Sequence, residues 1–403
     1  MKNQRALLTV FVAVLLDLVG FGILIPVQPF LAKSLNASPA IITLVGATYS
    51  AMQFIFAPLW GRLSDRIGRR PVMISSIAFG VCGYLLLGFA NSIPMLFAGR
   101  ALAGFGNANL AVAQAVVSDV TTSENRAKGM GMLGAAFGLG FIIGPIIGGF
   151  ASRWGLHAPA LVAGALGACN WLLALAWLQE THPPEKRTQP AEVRRAPWDE
   201  AFRVPGVGRM LAIGFLLTTG FALFEQVLSL FVAEVWAKGG TEATPGEMPM
   251  AVRLTVYFLM TIGLTGAIVQ GGLIGRIGKR FAARSIAAVG MALVALGVLG
   301  IPLVQNLPFA ALIGVGFVLA LGSGLTNPTL MGMLSNLAPA QKRGSILGVG
   351  QAANSLGRVV GPAVAGSLFE HSARLPFFIG STLIAICLVI LLAGPAVVPE
   401  ELS

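Results

Sequence analysis

QFIFAPLWGRLSDRIGRRPVMISSIAFG, residues 53–80, places two apolar runs on either side of a basic segment, Gly61–Pro71. Each run continues beyond the quoted stretch. A helix that crosses a bilayer needs about 20 mostly apolar residues. The same alternation of long apolar run and short polar loop fills the chain. Twelve spans can be read, at 6–31, 40–61, 71–90, 94–118, 127–151, 158–179, 209–235, 252–275, 283–303, 307–335, 344–369 and 374–394. Only helices or closed barrels satisfy the backbone in lipid, and these runs are too long and continuous for barrel strands. The expected fold class is an all-α integral membrane protein with twelve transmembrane helices.

Composition agrees. Of 403 residues, 56% are hydrophobic and 11% charged, against about 25% charged in soluble domains. Mean hydropathy is +0.81. The 51 glycines suit helices packed closely in lipid. The net charge of +11 does not indicate nucleic acid as a partner, because the basic residues occupy short loops between spans. With both termini in the cytoplasm, the inner segments hold Lys2, Arg5, Arg62–Arg70, Arg126, Lys128, the 186–209 loop, Arg276, Lys279, Arg280, Arg284, Lys342 and Arg343. The outer loops keep Lys33, Arg153, Lys238, Arg253 and Arg374. This is the positive-inside pattern. Met1–Leu8 begins like a signal peptide, but the apolar run continues to Leu31 without a small-residue cleavage site, so it reads as a retained first helix.

Cys82, Cys169 and Cys387 lie in apolar spans without ligand spacing, and His157, His182 and His371 are scattered in or next to loops. No metal or cofactor is expected. HExxH and GxSxG motifs are absent from the sequence, which argues against an enzyme. A sensor or scaffold would call for a sizeable soluble domain, and no loop is long enough to hold one.

The polar stretch Glu180–Arg209, with Pro183, Pro184, Pro190 and Pro197, divides the spans six and six. The expected organisation is an N-terminal half at 1–179, a cytoplasmic linker at 180–208 and a C-terminal half at 209–403. Within the linker, PWDEAFRVP suits a short interfacial helix with Trp198 and Phe202 toward lipid. An internal repeat supports the division. GRLSDRIGRR at 61–70 recurs as GGLIGRIGKR at 271–280. Arg126 followed by GLGFIIGPIIGG recurs as Arg343 followed by SLGRVVGPAVAG, with Gly144-Pro145 answered by Gly361-Pro362. Two pseudo-symmetric halves around a central cavity are the expected arrangement.

Four charges fall well inside apolar spans, away from their ends: Asp17, Arg100, Glu225 and Arg358. A charge at the centre of a membrane helix costs roughly 2.5–3.5 kcal/mol on insertion scales, so each needs a partner or a watery cavity. Burial favours a protonated carboxyl, and a nearby arginine favours an ionised one. A carboxyl that alternates between those surroundings carries protons. Within the halves, Asp17 with Arg100 and Glu225 with Arg358 are the natural pairs. Static ion pairs that hold helices together are the alternative.

These motifs resemble those of the major facilitator superfamily. GRLSDRIGRRP is similar to its signature loop, LFAGRALAGFG to its proton-linked arginine motif, and GLGFIIGPIIGG to the motif of its antiporter branch. LLDLVGFGILIPVQPF resembles the first helix of tetracycline/proton antiporters and multidrug exporters. The resemblance implies a cytoplasmic gate built from Gly61, Asp65, Arg66, Gly68, Arg69, Arg70 and Asp119. In it Asp65 meets the start of span 11, Arg69 pairs with Asp119, and Gly61 and Gly68 form entry and exit turns. The second copy has Gly275 where Asp65 stands, so such a latch is asymmetric. The antiporter motif comprises Gly140, Gly144, Pro145, Gly148, Gly149, Gly361 and Pro362. Its prolines are expected to kink their spans, and by resemblance span 5 helps seal the outward side. Cavity-lining candidates for the substrate are Tyr49, Gln53, Asn107, Gln114, Phe221, Phe224, Gln226, Tyr257, Asn327, Gln351 and Asn354. For most of these, helix–helix hydrogen bonding is the competing reading.

One departure matters. Tetracycline exporters carry an acidic residue just before the leucines of span 3, and here VCGYLLLGFA has Gly83. Glu225 is instead an addition of this chain. The resemblance therefore implies a monomeric exporter in a bacterial inner membrane, exchanging amphipathic compounds for protons. The alternatives are a proton-coupled importer of a sugar or other nutrient, or an exporter of an endogenous lipid or siderophore.

Overall fold

The computed structural model describes residues 2–121, 125–183, 198–238, 246–339 and 343–394. The linker segment 184–197 and Lys342 lie outside them, as do the side chains of Lys2, Arg5, Arg126, Lys128, Trp198 and Arg343. Sixteen α-helices are described: α1 (Lys2–Leu24), α2 (Gln28–Ser34), α3 (Pro39–Ile67), α4 (Arg69–Gly88), α5 (Ile93–Gly106), α6 (Leu110–Val120), α7 (Arg126–Ala151), α8 (Ala158–Trp177), α9 (Trp198–Arg203), α10 (Val207–Val235), α11 (Met250–Ile268), α12 (Ile274–Ile277), α13 (Ala283–Leu303), α14 (Phe309–Leu337), α15 (Arg343–His371) and α16 (Leu375–Ala393).

Eleven helical segments among the described residues are long and apolar enough to cross a membrane. The expected twelfth, α15, is 29 residues long. Gln351, Asn354, Ser355, Arg358 and Glu370 along it dilute its apolar character, and it is not among those eleven.

Three expected boundaries change. The first span ends at Leu24, and α2 follows as a separate short helix with Pro29 in its first turn. The basic signature segment is not a loop. Helix α3 runs to Ile67 and α4 starts at Arg69, leaving Gly68 alone as the break. Gly61 is therefore a helical residue rather than an entry turn. Gly68 has φ 108°, a conformation that a side chain resists. The second copy breaks differently: a π-helical turn, Val269–Leu273, leads into α12, and Gly278 keeps φ −62°. Finally, span 4 is split by a single 3-10 turn, Asn107–Asn109, between α5 and α6. Pro145 and Pro362 lie inside helices that continue on both sides of them.

The chain divides into two compact units. One comprises Met1–Val193 with Ala237–Val256, the other Arg194–Trp236 with Tyr257–Ser403. Their main helix pairings correspond. In the first, α1 packs on α7 and α8, while α4 packs on α5 and α8. In the second, α10 packs on α15 and α16, while α13 packs on α14 and α16. Glycines permit the closest of these contacts. A Cβ at Gly144 would lie 2.6 Å from Gly22 Cα, and one at Gly148 would lie 2.1 Å from the Ile23 carbonyl oxygen. At Gly361 it would lie 2.7 Å from Ala222 Cβ. The glycine-rich motif thus seats α7 on α1, and its repeat seats α15 on α10.

A polar clasp also recurs. Arg70, at the start of α4, donates from Nε to Leu178 O (2.8 Å) and from Nη2 to Leu175 O (2.9 Å) at the end of α8. Arg284, at the start of α13, donates from Nη2 to Leu392 O and Gly394 O (2.5 and 2.7 Å) at the end of α16. Both arginines satisfy carbonyls left unpaired at a helix C-terminus and oppose the negative end of its dipole. Helix α9 forms within the linker, with Ala201 buried and Phe202 60% exposed.

Candidate functional site

The end of α3 and α4 gathers the gate residues of the first unit. Arg69 is buried. Its Nη1 donates to Ser64 Oγ and to Asp65 Oδ1, and its Nε donates to Asp119 Oδ2 at 3.2 Å. The Arg69–Asp119 contact named from the sequence is present as an ion pair. Glu180, not foreseen, accepts the backbone N–H of Arg69 at 2.9 Å and of Arg70 at 3.3 Å. A carboxylate there satisfies free N–H groups at a helix N-terminus. Thr181 donates to Asp119 Oδ2 at 3.2 Å. Arg66 is exposed and Arg70 serves the clasp. Asp65 pairs with Arg69 one helical turn away; the side chains of residues 343–345, at the start of span 11 where its other contact is expected, lie outside the described residues.

Deeper in the unit, Asp17 and Arg100 are not an ion pair. Both Asp17 carboxyl oxygens are taken by asparagines. Asn109 Nδ2 donates to Oδ2 and Asn170 Nδ2 to Oδ1, each at 3.0 Å. Asn170 also donates to Ala13 O at 2.9 Å. Arg100, 5% exposed, lies over aromatic rings instead. Its guanidinium carbon is 4.5 Å from the Tyr49 ring centre and 5.9 Å from that of Phe21, the two rings being stacked at 5.0 Å. A cation above a ring face is attracted by the ring quadrupole. Arg100 Nε and Nη1 have no hydrogen-bond partner among the described residues.

Three of the substrate candidates form one network beside this arginine. Gln53 Nε2 donates to Tyr49 Oη and to Asn107 O, both at 3.1 Å. Asn107 Nδ2 donates to Tyr84 Oη at 2.7 Å and to Tyr49 Oη at 3.3 Å. Tyr49 and Asn107 are buried; these bonds engage Tyr49 Oη and Asn107 Nδ2, while Asn107 Oδ1 has no hydrogen-bond partner among the described residues. Gln114 is exposed on α6. Gly83 faces Ala103 so closely that a Cβ would lie 2.3 Å from its backbone nitrogen. The contact between α4 and α5 excludes an acidic side chain at that position.

In the second unit, Glu225 on α10 and Arg358 on α15 stand on packed helices and within electrostatic reach of each other. Phe221 and Phe224 meet edge to face at 4.7 Å, Phe224 being buried and Gln226 half-buried. Asn354 Oδ1 abuts Gly214, where a Cβ would lie 2.6 Å away. Gln351 is half-buried and Asn327 exposed. Tyr257 is exposed and lines an open surface groove of about 450 Å³ with Met260, Thr261, Leu264, Phe309, Ala310 and Ile313. Gly149 faces Met248 and Val256, residues that group with the first unit.

Sequence reasoning missed Asn109, Asn170, Tyr84 and Glu180. An asparagine inside an apolar span, as in GACNWLL around Asn170, was the available signal.

A family model described as Major Facilitator Superfamily matches residues 10–269 and 250–402. The tetracycline resistance protein of class C from Escherichia coli is 32% identical over 404 residues, covering 98% of both chains. Multidrug resistance protein 1 of Bacillus subtilis (strain 168) is 28% identical over 407 residues, again covering 98% of both. Among solved structures, the peptide transporter POT in complex with sulfate superposes with a TM-score of 0.79 at 14% identity, covering 96% of this chain and 94% of that one. The human organic anion transporter MFSD10 gives 0.71 at 23% identity, covering 96% and 99%.

Proposed function

The chain belongs to the major facilitator superfamily, and from that premise we propose that it is a secondary active exporter, which expels amphipathic drug-like compounds in exchange for protons. It is a multi-pass membrane protein, and the reading places it in a bacterial inner membrane with both termini in the cytoplasm. Two halves, 1–179 and 209–403, alternate access to a midplane site. The linker 180–208 joins them.

The observation that carries this reading is near full-length similarity to proteins named for tetracycline and multidrug resistance. Intramembrane carboxyls supply the coupling. Asp17 is the proton carrier of the first half, and Glu225, within reach of Arg358, that of the second. Each proton that moves inward down a membrane potential contributes roughly 2.3 kcal/mol per 100 mV. Arg100 holds a fixed positive charge beside the Tyr49–Gln53–Asn107 network. The Arg69–Asp119 pair and Asp65 belong to the cytoplasmic gate, and the α7 glycines to the packing that moves with α1.

The packed Gly83 supports a broader substrate class than tetracycline, because it leaves no room for the carboxylate found at that place in tetracycline exporters. The test is accumulation of ethidium, tetracycline and a chemically broad drug panel in cells that express the chain, with and without an uncoupler. Lower accumulation that an uncoupler abolishes is the expected result. Equal accumulation in expressing and empty cells across the panel would remove the export reading.

A further inference from the structure

The 3-10 turn in span 4 sits where a proton carrier needs a responsive neighbour. Its last residue, Asn109, touches Asp17. Its first, Asn107, belongs to the Tyr49–Tyr84 network beside Arg100. One turn of backbone therefore joins the carboxyl to the guanidinium site. The turn is held on the α4 side, where a Cβ at Gly106 would lie 2.2 Å from Gly80 N.

The two asparagines on Asp17 are not equivalent. Asn170 Nδ2 is shared between Asp17 Oδ1 and Ala13 O, so reversing its amide breaks two hydrogen bonds. Asn109 makes one, to Oδ2. An ionised carboxylate only accepts hydrogen bonds, whereas a protonated one must also donate. Two N–H donors suit the ionised state and leave an added proton without an acceptor. An asparagine carries a donor and an acceptor at the ends of one amide, and a half-turn about its last side-chain bond exchanges them. Of the elements packed on α1, α7 presents glycines 140, 144 and 148, α8 presents Asn170, and α6 follows Asn109 directly; from α4 the Tyr84 ring reaches Gly20 and is an ionisable group within electrostatic reach of Asp17 and of Arg100.

We propose that Asn109 is the positioning residue that reports the protonation of Asp17 to span 4, by reversing its side-chain amide. A proton from water adds to Oδ2. The new O–H donates to Asn109 Oδ1, and the displaced N–H₂ turns into the 3-10 turn. Loss of the proton to water restores the starting bonds. Asn170 stays fixed and keeps Oδ1 in place. The inference rests on Asp17 being the proton carrier, as proposed above.

The test is infrared difference spectroscopy, acid minus alkaline, on the purified full-length protein in lipid vesicles, with and without ¹³C-labelled asparagine. No substrate is required. A carboxyl band that disappears in Asp17→Ala is expected, accompanied in labelled protein by a shift of a side-chain amide band. That amide shift should be lost in Asn109→Leu and Asn109→Ser and kept in Asn170→Leu. If the amide shift persists in either Asn109 variant, or if wild type shows the carboxyl band with no amide shift, the inference is overturned. If Asp17→Ala removes no carboxyl band, the carrier reading fails first. Should the Asn109 variants not fold, a wild-type carboxyl band without an amide shift, or loss of the amide shift in Asn170→Leu, still overturns the inference.

Discussion

Arg69 shows how one side chain can do what its neighbours in a basic run do not. It is buried, and its guanidinium divides between Nε on Asp119 and Nη1 on Ser64 and Asp65. Lysine has one point of charge and cannot reproduce that fork. Arg69→Lys and Arg69→Ala should therefore both lower thermal stability in detergent, by about 1.5–3 kcal/mol for the lost charged hydrogen bonds. Asp65→Asn should cost about 0.3–0.5 kcal/mol, because an exposed pair one turn apart on a helix is weak. Equal melting points for the Arg69 and Asp65 variants would contradict this ranking. The residue types of the site were legible in the sequence, since charges in apolar spans stand out against their surroundings. Their partners were not. Asn109 is 92 residues from Asp17, and Asn170 is 153 residues away. No local pattern links such positions, so the guessed Asp17–Arg100 pair gave way to two asparagines and an arginine seated on Tyr49.

At the scale of elements, hydropathy located the spans after the second to within a few residues because each averages over many side chains. The ends were harder to read. A polar helix end looks like a loop, so the basic segment concealed the last turns of α3 and a break confined to Gly68. The 3-10 turn at Asn107–Asn109 was equally hidden, because it leaves the apolar period of span 4 almost undisturbed. The glycine motif makes a sharper prediction. On α7, Gly148 presses on the Ile23 carbonyl, while Gly131 has nothing within 4 Å of its added Cβ. Gly148→Val should destabilise the α1–α7 pair by about 1–3 kcal/mol or more through overpacking, seen as lost monodisperse yield. Gly131→Ala should be tolerated, and equal losses would refute the assignment. Arg70→Ala and Arg284→Ala should each weaken one clasp by about 0.3–1 kcal/mol, the size of a cation at a helix C-terminus. Faster hydrogen exchange at the end of α8 in the first variant, and of α16 in the second, is the expected readout.

For the molecule as a whole, the internal repeat is borne by matching helix pairings in the two units, yet its chemistry is unequal. The first unit holds Asp17 between asparagines with Arg100 on aromatic rings, and the second sets Glu225 near Arg358. Asp65 has only Gly275 as its counterpart. A duplicated frame with two different acid sites is what an exporter needs if each half handles protons at its own stage of the cycle. The central claim is that these carboxyls couple transport to protons. The direct measurement is substrate uptake into inside-out proteoliposomes under an imposed pH gradient, using a compound first identified from cell accumulation, for wild type, Asp17→Asn and Glu225→Gln. Wild type should concentrate the compound against its gradient. At least one variant should lose that ability while still passing the compound downhill. Undiminished uphill transport by both variants would contradict the account.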